Sequence, residues 1–126
     1  MNPKKIQAKT RYYYVTLCEE PTFQSLYTDK IIITKKRIKV WGKIVKYKKY
    51  CSKKEKIVNK RIFKTTKKTK YCVLAGVNPY TGRKNIQRMS KKKFYKKVKK
   101  LIRNNTGLGL VIKYKDNKVI YARLVS

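Results

Sequence analysis

The stretch SKKKFYKKVKKLIR, at residues 90–103, predicts an α-helix, because its apolar side chains recur at helical spacing. Ser90 is a suitable helix N-cap, and the residues NNTG at 104–107 predict where the helix ends. The apolar stripe consists of Phe94, Val98, Leu101 and Ile102, with Tyr95 at its edge. The opposite face carries Lys92, Lys96, Lys99, Lys100 and Arg103. We therefore expect one basic amphipathic helix whose apolar stripe packs on a sheet.

The segments that follow this helix predict a β-hairpin. LGLVIKY (108–114) and KVIYARLV (118–125) alternate in polarity on either side of the turn residues KDNK at 115–118. The hairpin would supply two strands of the sheet that the helix needs.

The rest of the chain is rich in strand-forming residues, since Ile and Val together outnumber Leu by 22 to 7. We predict strands at 11–18, 30–41, 43–50, 57–65 and 70–75, with a bulge or bend at Gly42, where the apolar alternation changes face. The polar segments 52–56, 66–70 and 76–85 are predicted loops. The expected fold is α+β: a single domain over residues 1–126. It would have a small twisted antiparallel β-sheet of about five to seven strands, with one C-terminal basic helix followed by a β-hairpin.

The charge of the chain indicates its partner. Lys and Arg number 37 against 5 Asp and Glu, which gives a net charge of +32. Five carboxylates cannot neutralise so many cations, so an external polyanion would relieve the repulsion. Nucleic acid is the densest common polyanion. No apolar stretch approaches the roughly 20 residues that a membrane-spanning helix needs.

The residue types argue against an enzyme and against a metal or cofactor site. The chain has no His for acid–base catalysis. Its acids are scattered apart from Glu19 and Glu20, which would point in different directions on an extended chain. The cysteines at 18, 51 and 72 form no CxxC pair and are too few for a zinc site. Their odd number and the absence of a signal peptide predict an intracellular, reducing location and no secretion.

Three regions are candidates for nucleic-acid contact. They are the cationic helix face, the basic region 35–70 and the turn at 78–83. The alternative to binding is that the lysines only form a solvated surface and that the aromatics between them pack in the core. Trp41 is the expected exception, because it lies on the same side of the strand as Lys39 and could stack on a base. The candidate binding residues are Lys35, Lys36, Arg37, Trp41, Lys46, Lys48, Lys64, Lys67, Lys68, Arg83, Lys84, Arg88, Lys92, Lys96, Lys99, Lys100 and Arg103.

The turn Asn78-Pro79-Tyr80-Thr81-Gly82-Arg83, followed by Ile86, resembles the arm tip of the HU/IHF family of DNA-bending proteins. The resemblance implies that Pro79 wedges between base pairs and that Arg83 contacts the minor groove. It covers only this short segment, and the family's N-terminal helical hairpin is missing because residues 11–48 are predicted strands. The same sequence is also a good β-turn in its own right.

These observations favour a structural nucleic-acid-binding protein, with RNA preferred over DNA. Charge on every element suits a ribosomal or ribosome-like protein surrounded by folded RNA and neighbouring proteins, in an organelle matrix or in cytoplasm with ribosomes. Lys outnumbers Arg by 30 to 7. Because the codons for lysine are rich in A and T, this excess indicates an A/T-rich genome. The alternative is a phage, viral or nucleoid DNA-binding protein, such as an internal or minor capsid component of a virion.

Overall fold

The computed structural model describes residues 10–17, 27–49, 53–104 and 108–125. Eight strands and one helix follow one another along the chain. They are β1 (Thr10–Thr16), β2 (Tyr27–Ile33), β3 (Arg37–Lys49), β4 (Lys53–Lys64), β5 (Lys70–Val77), β6 (Lys84–Met89), α1 (Lys91–Arg103), β7 (Gly109–Lys115) and β8 (Lys118–Val125).

The strands form one sheet that curls into a half-barrel. Seven strands lie in the order β2-β3-β1-β7-β8-β5-β6, and β4 pairs with β3 as well. The long strand β3 pairs with β2 through Ile38–Lys43 and with β1 through Val45–Tyr47. β4 and β8 also contact each other, so the sheet curls around one face, which we call the inner face.

The inner face holds the hydrophobic core, and α1 covers it by packing on β2 and β5. The helix buries Phe94, Val98 and Ile102, while Leu101 is only half-buried. The Phe94 ring lies 5.3 Å from the ring of Tyr71 on β5. On the β4 side, the Phe63 ring packs edge-on against Tyr13 at 4.8 Å. The helix and the curled sheet therefore share one core.

Local sequence signals explain the ends of several elements. The Ser90 side chain accepts a hydrogen bond from the Lys93 N–H, so the predicted N-cap is confirmed. Asp116 and Asn117 both have positive φ, which is the two-residue turn geometry that matches the twist of a hairpin. The register of β3 shifts on both of its edges near Gly42, whose φ is 143°, so the predicted bulge is confirmed.

The predicted α+β class is wrong, because the described fold is mostly β. The helix lies mid-chain instead of C-terminal: β7 and β8 follow it and enter the middle of the sheet between β1 and β5. The sheet is not purely antiparallel either, since β5 runs parallel to β8. A parallel pair needs a crossover connection, and β6, α1 and β7 provide it.

Three predicted boundaries are also wrong. The predicted strand 30–41 contains the β2–β3 turn, because β2 ends at Ile33 and β3 begins at Arg37. The predicted polar loop 52–56 lies in β4 from Lys53 onward, where it extends the β3–β4 hairpin. The predicted loop 76–85 contains a turn at 78–83 only, because β5 continues to Val77 and β6 begins at Lys84. The apolar alternation of β3 does not change face at Gly42, since Ile38, Val40 and Ile44 all belong to the core. Residues 105–107 of the predicted helix stop lie outside the described residues.

Candidate nucleic-acid interface

The exposed face of α1 carries cations along its whole length. Every Lys and Arg that was predicted for this face is exposed: Lys92, Lys96, Lys99, Lys100 and Arg103. The first turn contains no acidic residue, although carboxylates are the favoured charges at a helix N-terminus. The Lys99 ammonium lies 4.4 Å from the ring centre of Tyr95, so this lysine covers the edge of the apolar stripe.

The N-terminal end of α1 contacts the β2–β3 turn, and this turn is joined to the β4–β5 turn. Together they form a second cationic surface, which we call the basic pole. The Lys91 ammonium donates hydrogen bonds to the carbonyls of Thr34 and Lys35 at 3.1 and 2.8 Å. The Thr65 N–H donates to the Lys36 carbonyl, which joins the β2–β3 turn to the β4–β5 turn. The basic pole thus collects exposed side chains from distant parts of region 35–70: Lys35, Lys36, Arg37, Lys64, Lys67 and Lys68.

Like charges lie directly opposite each other across the β3–β4 hairpin. Arg37 pairs with Lys64, and Lys46 pairs with Lys56. Directly opposed like charges destabilise a strand pair. Asp116 is the only carboxylate among the side chains that the structure describes, so these cations have few internal counter-charges.

Trp41 lies between two lysines, as its alternation in β3 suggests. Its ring centre is 5.9 Å from the Lys30 ammonium and 5.2 Å from that of Lys60, on the neighbouring strands β2 and β4. The indole is half-buried, so it combines a packing role with an accessible ring.

The β5–β6 hairpin extends as an arm with little burial. All of β6 except Met89 is exposed, including Lys84 and Arg88. At the tip, the Asn78 side-chain oxygen accepts hydrogen bonds from the N–H groups of Tyr80 and Thr81, and Gly82 adopts a positive φ of 69°. These bonds fix the turn and leave Tyr80 95% exposed. The arm therefore presents cations and an aromatic ring away from the core.

A further group of side chains, which sequence reasoning missed, lies on the face of the sheet opposite the core, which we call the outer face. The strand register places one row side by side across β3, β1, β7 and β8: Tyr47, Tyr12, Lys113 and Tyr121. The next row contains Val45, Tyr14, Val111 and Arg123. Tyrosines and cations thus lie side by side on a surface that also includes the buried Val45 and Val111.

The outer face contains a cleft of about 420 Å³, which we call the outer cleft. This volume falls in the range of ligand pockets. Its lining includes Tyr12, Tyr14, Tyr121, Arg123, Lys49 and Lys84. Lys49 comes from β3 and Lys84 from β6, so strands that are far apart in the strand order contribute to one site.

Cations hold the tyrosine rings of the outer cleft in place. The Arg123 guanidinium carbon lies 4.1 Å from the ring centre of Tyr121. The Lys113 ammonium lies 5.8 Å from the Tyr12 ring centre and 6.0 Å from that of Tyr121. Such cation–π contacts add stability and orient the rings.

Burial raises the pKa of the Tyr121 hydroxyl. The Arg123 charge partly opposes this rise in pKa, and the nearby Tyr12 and Cys72 add to it. Tyr121 is therefore a neutral phenol at physiological pH. Gly109 is a further requirement of this site, because a Cβ at that position would overlap the Tyr14 ring.

The structure brings the predicted site residues together in three groups and separates some of them. The helix face, the basic pole and the arm each form a continuous cationic surface. Lys46 lies apart, on the core side of β3, where its ammonium is 6.0 Å from the buried Tyr13 ring. Lys48 is exposed near the end of β3. The signal for the outer cleft was the alternation of RYYYVT and KVIYARLV, but only the strand order shows that these faces coincide.

No protein-family model, no curated protein and no solved structure matches this chain. The turn that resembles the HU/IHF arm tip lies between β5 and β6. Within the described residues, no helix is long and apolar enough to cross a membrane.

Proposed function

We propose that the protein is a structural nucleic-acid-binding protein that contacts the phosphate backbone of folded RNA. The assembly that we favour is a ribosomal or ribosome-like particle, in which RNA and other proteins surround the chain. The basic pole, the helix face and the arm are the contact surfaces. No step of this function requires a catalytic group or a cofactor.

The observation that carries the proposal is the distribution of cations over the whole surface. Every Lys and Arg whose side chain is described is exposed or half-buried, and they occur on all the elements of the fold. A ligand that touches one side, such as a straight duplex or a membrane, leaves the other cations unneutralised. Folded RNA can reach several sides at once, and its phosphates offset the repulsion between opposed pairs such as Arg37 and Lys64.

Competition between polyanions tests this proposal. The full chain is titrated with a fluorescent structured RNA, and the complex is challenged with duplex DNA, polyglutamate or vesicles of anionic lipid at equal charge. We expect the RNA to be displaced least by polyglutamate and vesicles, and less by duplex DNA than by unlabelled RNA. Displacement by polyglutamate as efficient as by RNA would show that any polyanion suffices, and the proposal would fail. Stronger displacement by duplex DNA than by RNA would reassign the partner.

A further inference from the structure

The outer cleft contains the two components that single-stranded nucleic acid needs, which are aromatic rings and nearby cations. Tyr12, Tyr14 and Tyr121 are half-buried, so each ring is supported by packing and still lines the cleft. Lys49 and Lys84 line the same cleft from β3 and β6. A segment of extended chain that crosses the sheet would meet cations on both sides of the tyrosines.

Arg123 gives the cleft a further recognition element. Its guanidinium stacks on Tyr121, and its Nε is buried without a hydrogen-bond acceptor among the described residues. Buried donors are nearly always paired in folded proteins. Arginine planes also stack on bases and donate to phosphate or carbonyl oxygens. A flat, negatively charged ligand with acceptor atoms suits the stacked Arg123 and the two lysines that line the cleft.

We propose that the outer cleft binds unpaired bases of single-stranded RNA. Tyr12, Tyr14 and Tyr121 provide the stacking surfaces, Arg123 donates to an acceptor of the bound nucleotide, and Lys49 and Lys84 contact the flanking phosphates. The inference rests on the proposed RNA binding and deepens it, because the helix face and the basic pole contact phosphate alone. It assigns to one site a preference for unpaired nucleotides.

The chemistry of the cleft favours this ligand over an acidic peptide. A peptide carboxylate would satisfy the cations, but it offers no ring to the tyrosine faces. Every base has a π-face, and stacking on aromatic side chains tolerates any sequence. We therefore expect the site to prefer unpaired nucleotides without reading their identity strongly.

The experiment compares three RNA ligands with the full chain: an oligouridylate, a strand of the same length and backbone that lacks the bases, and a duplex of the same length. The measured quantity is the ratio of affinities for the oligouridylate and the abasic strand, because both carry the same phosphates. Tyr121→Ala removes one ring, and Tyr121→Phe is the matched control that keeps it. Gly109→Ala retains every aromatic side chain but displaces the Tyr14 ring, and circular dichroism checks that each variant is folded.

We expect the wild type to bind oligouridylate more tightly than the abasic strand by about 5- to 150-fold for each stacked base. Tyr121→Ala and Gly109→Ala should lower this ratio, whereas Tyr121→Phe should preserve it. If the wild type binds the two strands equally, the outer cleft does not stack bases, although phosphate binding elsewhere still stands. If none of the three RNAs binds, the proposed function itself is wrong. An unchanged ratio in folded Tyr121→Ala and Gly109→Ala variants would likewise overturn the assignment of the site.

Discussion

The two faces of α1 predict opposite effects of mutation on stability, and Phe94→Ala tests the buried face. The Phe94 side chain is 0% exposed and its ring lies 5.3 Å from that of Tyr71, so it connects the helix to β5. Removing a fully buried phenylalanine costs about 3–5 kcal/mol. This is a large part of the free energy of unfolding of a typical domain, which is roughly 5–15 kcal/mol. Repulsion between the cations lowers the free energy of unfolding further in this protein.

Urea unfolding at fixed salt, followed by circular dichroism, measures this loss. A small domain with an m-value of about 2 kcal/mol per molar urea should lose about 1.5–2.5 M from its unfolding midpoint. The matched control is Lys96→Ala on the exposed face of the same helix. Its midpoint should stay unchanged or rise slightly, since alanine is the better helix former and one cation is removed. A loss below about 0.5 M for Phe94→Ala would refute the packing of α1 on the inner face.

Two further predictions address the cationic face of α1 and the buried Tyr71. Replacing the five cations Lys92, Lys96, Lys99, Lys100 and Arg103 by Gln should leave the fold intact but make the salt slope of RNA binding shallower by about 3.5–4.5, that is about 0.7–0.9 for each lost phosphate contact. The charge-conserving exchange of Lys for Arg, and of Arg for Lys, at these positions should keep the slope. Burial raises the pKa of Tyr71 above its ordinary value of about 10. The stability that the neutral phenol contributes is therefore present below pH 10 and is lost as the pH rises above that. Urea unfolding of wild type and Tyr71→Phe at pH 8 and at pH 11 measures this effect. Between pH 8 and pH 11, the unfolding midpoint of Tyr71→Phe should fall by less than that of wild type. An equal fall of the midpoint in both proteins would contradict this.

The local features of the fold could be predicted from the sequence because their determinants are adjacent in the chain. Ser90 and the stripe of Phe94, Val98 and Ile102 specify the helix within one segment. The alternation around Asp116 and Asn117 specifies the β7–β8 hairpin in the same way. In both cases the spacing of apolar residues fixes which side is buried.

The sheet order could not be predicted, because it depends on pairings between distant segments. The parallel contact of β5 with β8 and the insertion of the C-terminal hairpin beside β1 leave no signal in either segment alone. β6 was missed because its residues are exposed and flanked by turn formers. Strand propensity reports a half-buried, pleated surface, and this arm lacks one.

The candidate site divides along the same line. The cations of α1 and of the turns could be located from the sequence. Charged side chains at turns and on the polar face of a helix are exposed whichever partner the element packs against. The outer cleft depends on Tyr12 and Tyr121, which come from opposite ends of the chain and meet only through β7. Aromatic residues in alternating strands are usually assigned to a core. For this reason the tyrosines of the outer face were not predicted to form a site.

The salt dependence of RNA affinity shows whether the cations of this protein contact phosphate. If the protein binds through about six to ten phosphate contacts, the logarithm of the association constant should fall against the logarithm of salt concentration with a slope of about −5 to −9. The measurement uses the full chain and a structured RNA, between about 50 and 200 mM monovalent salt, where contacts of this number weaken binding by about 10³- to 10⁵-fold. A slope shallower than about −2 would contradict the account, because the cations of the basic pole, the helix face and the arm would then not contact phosphate.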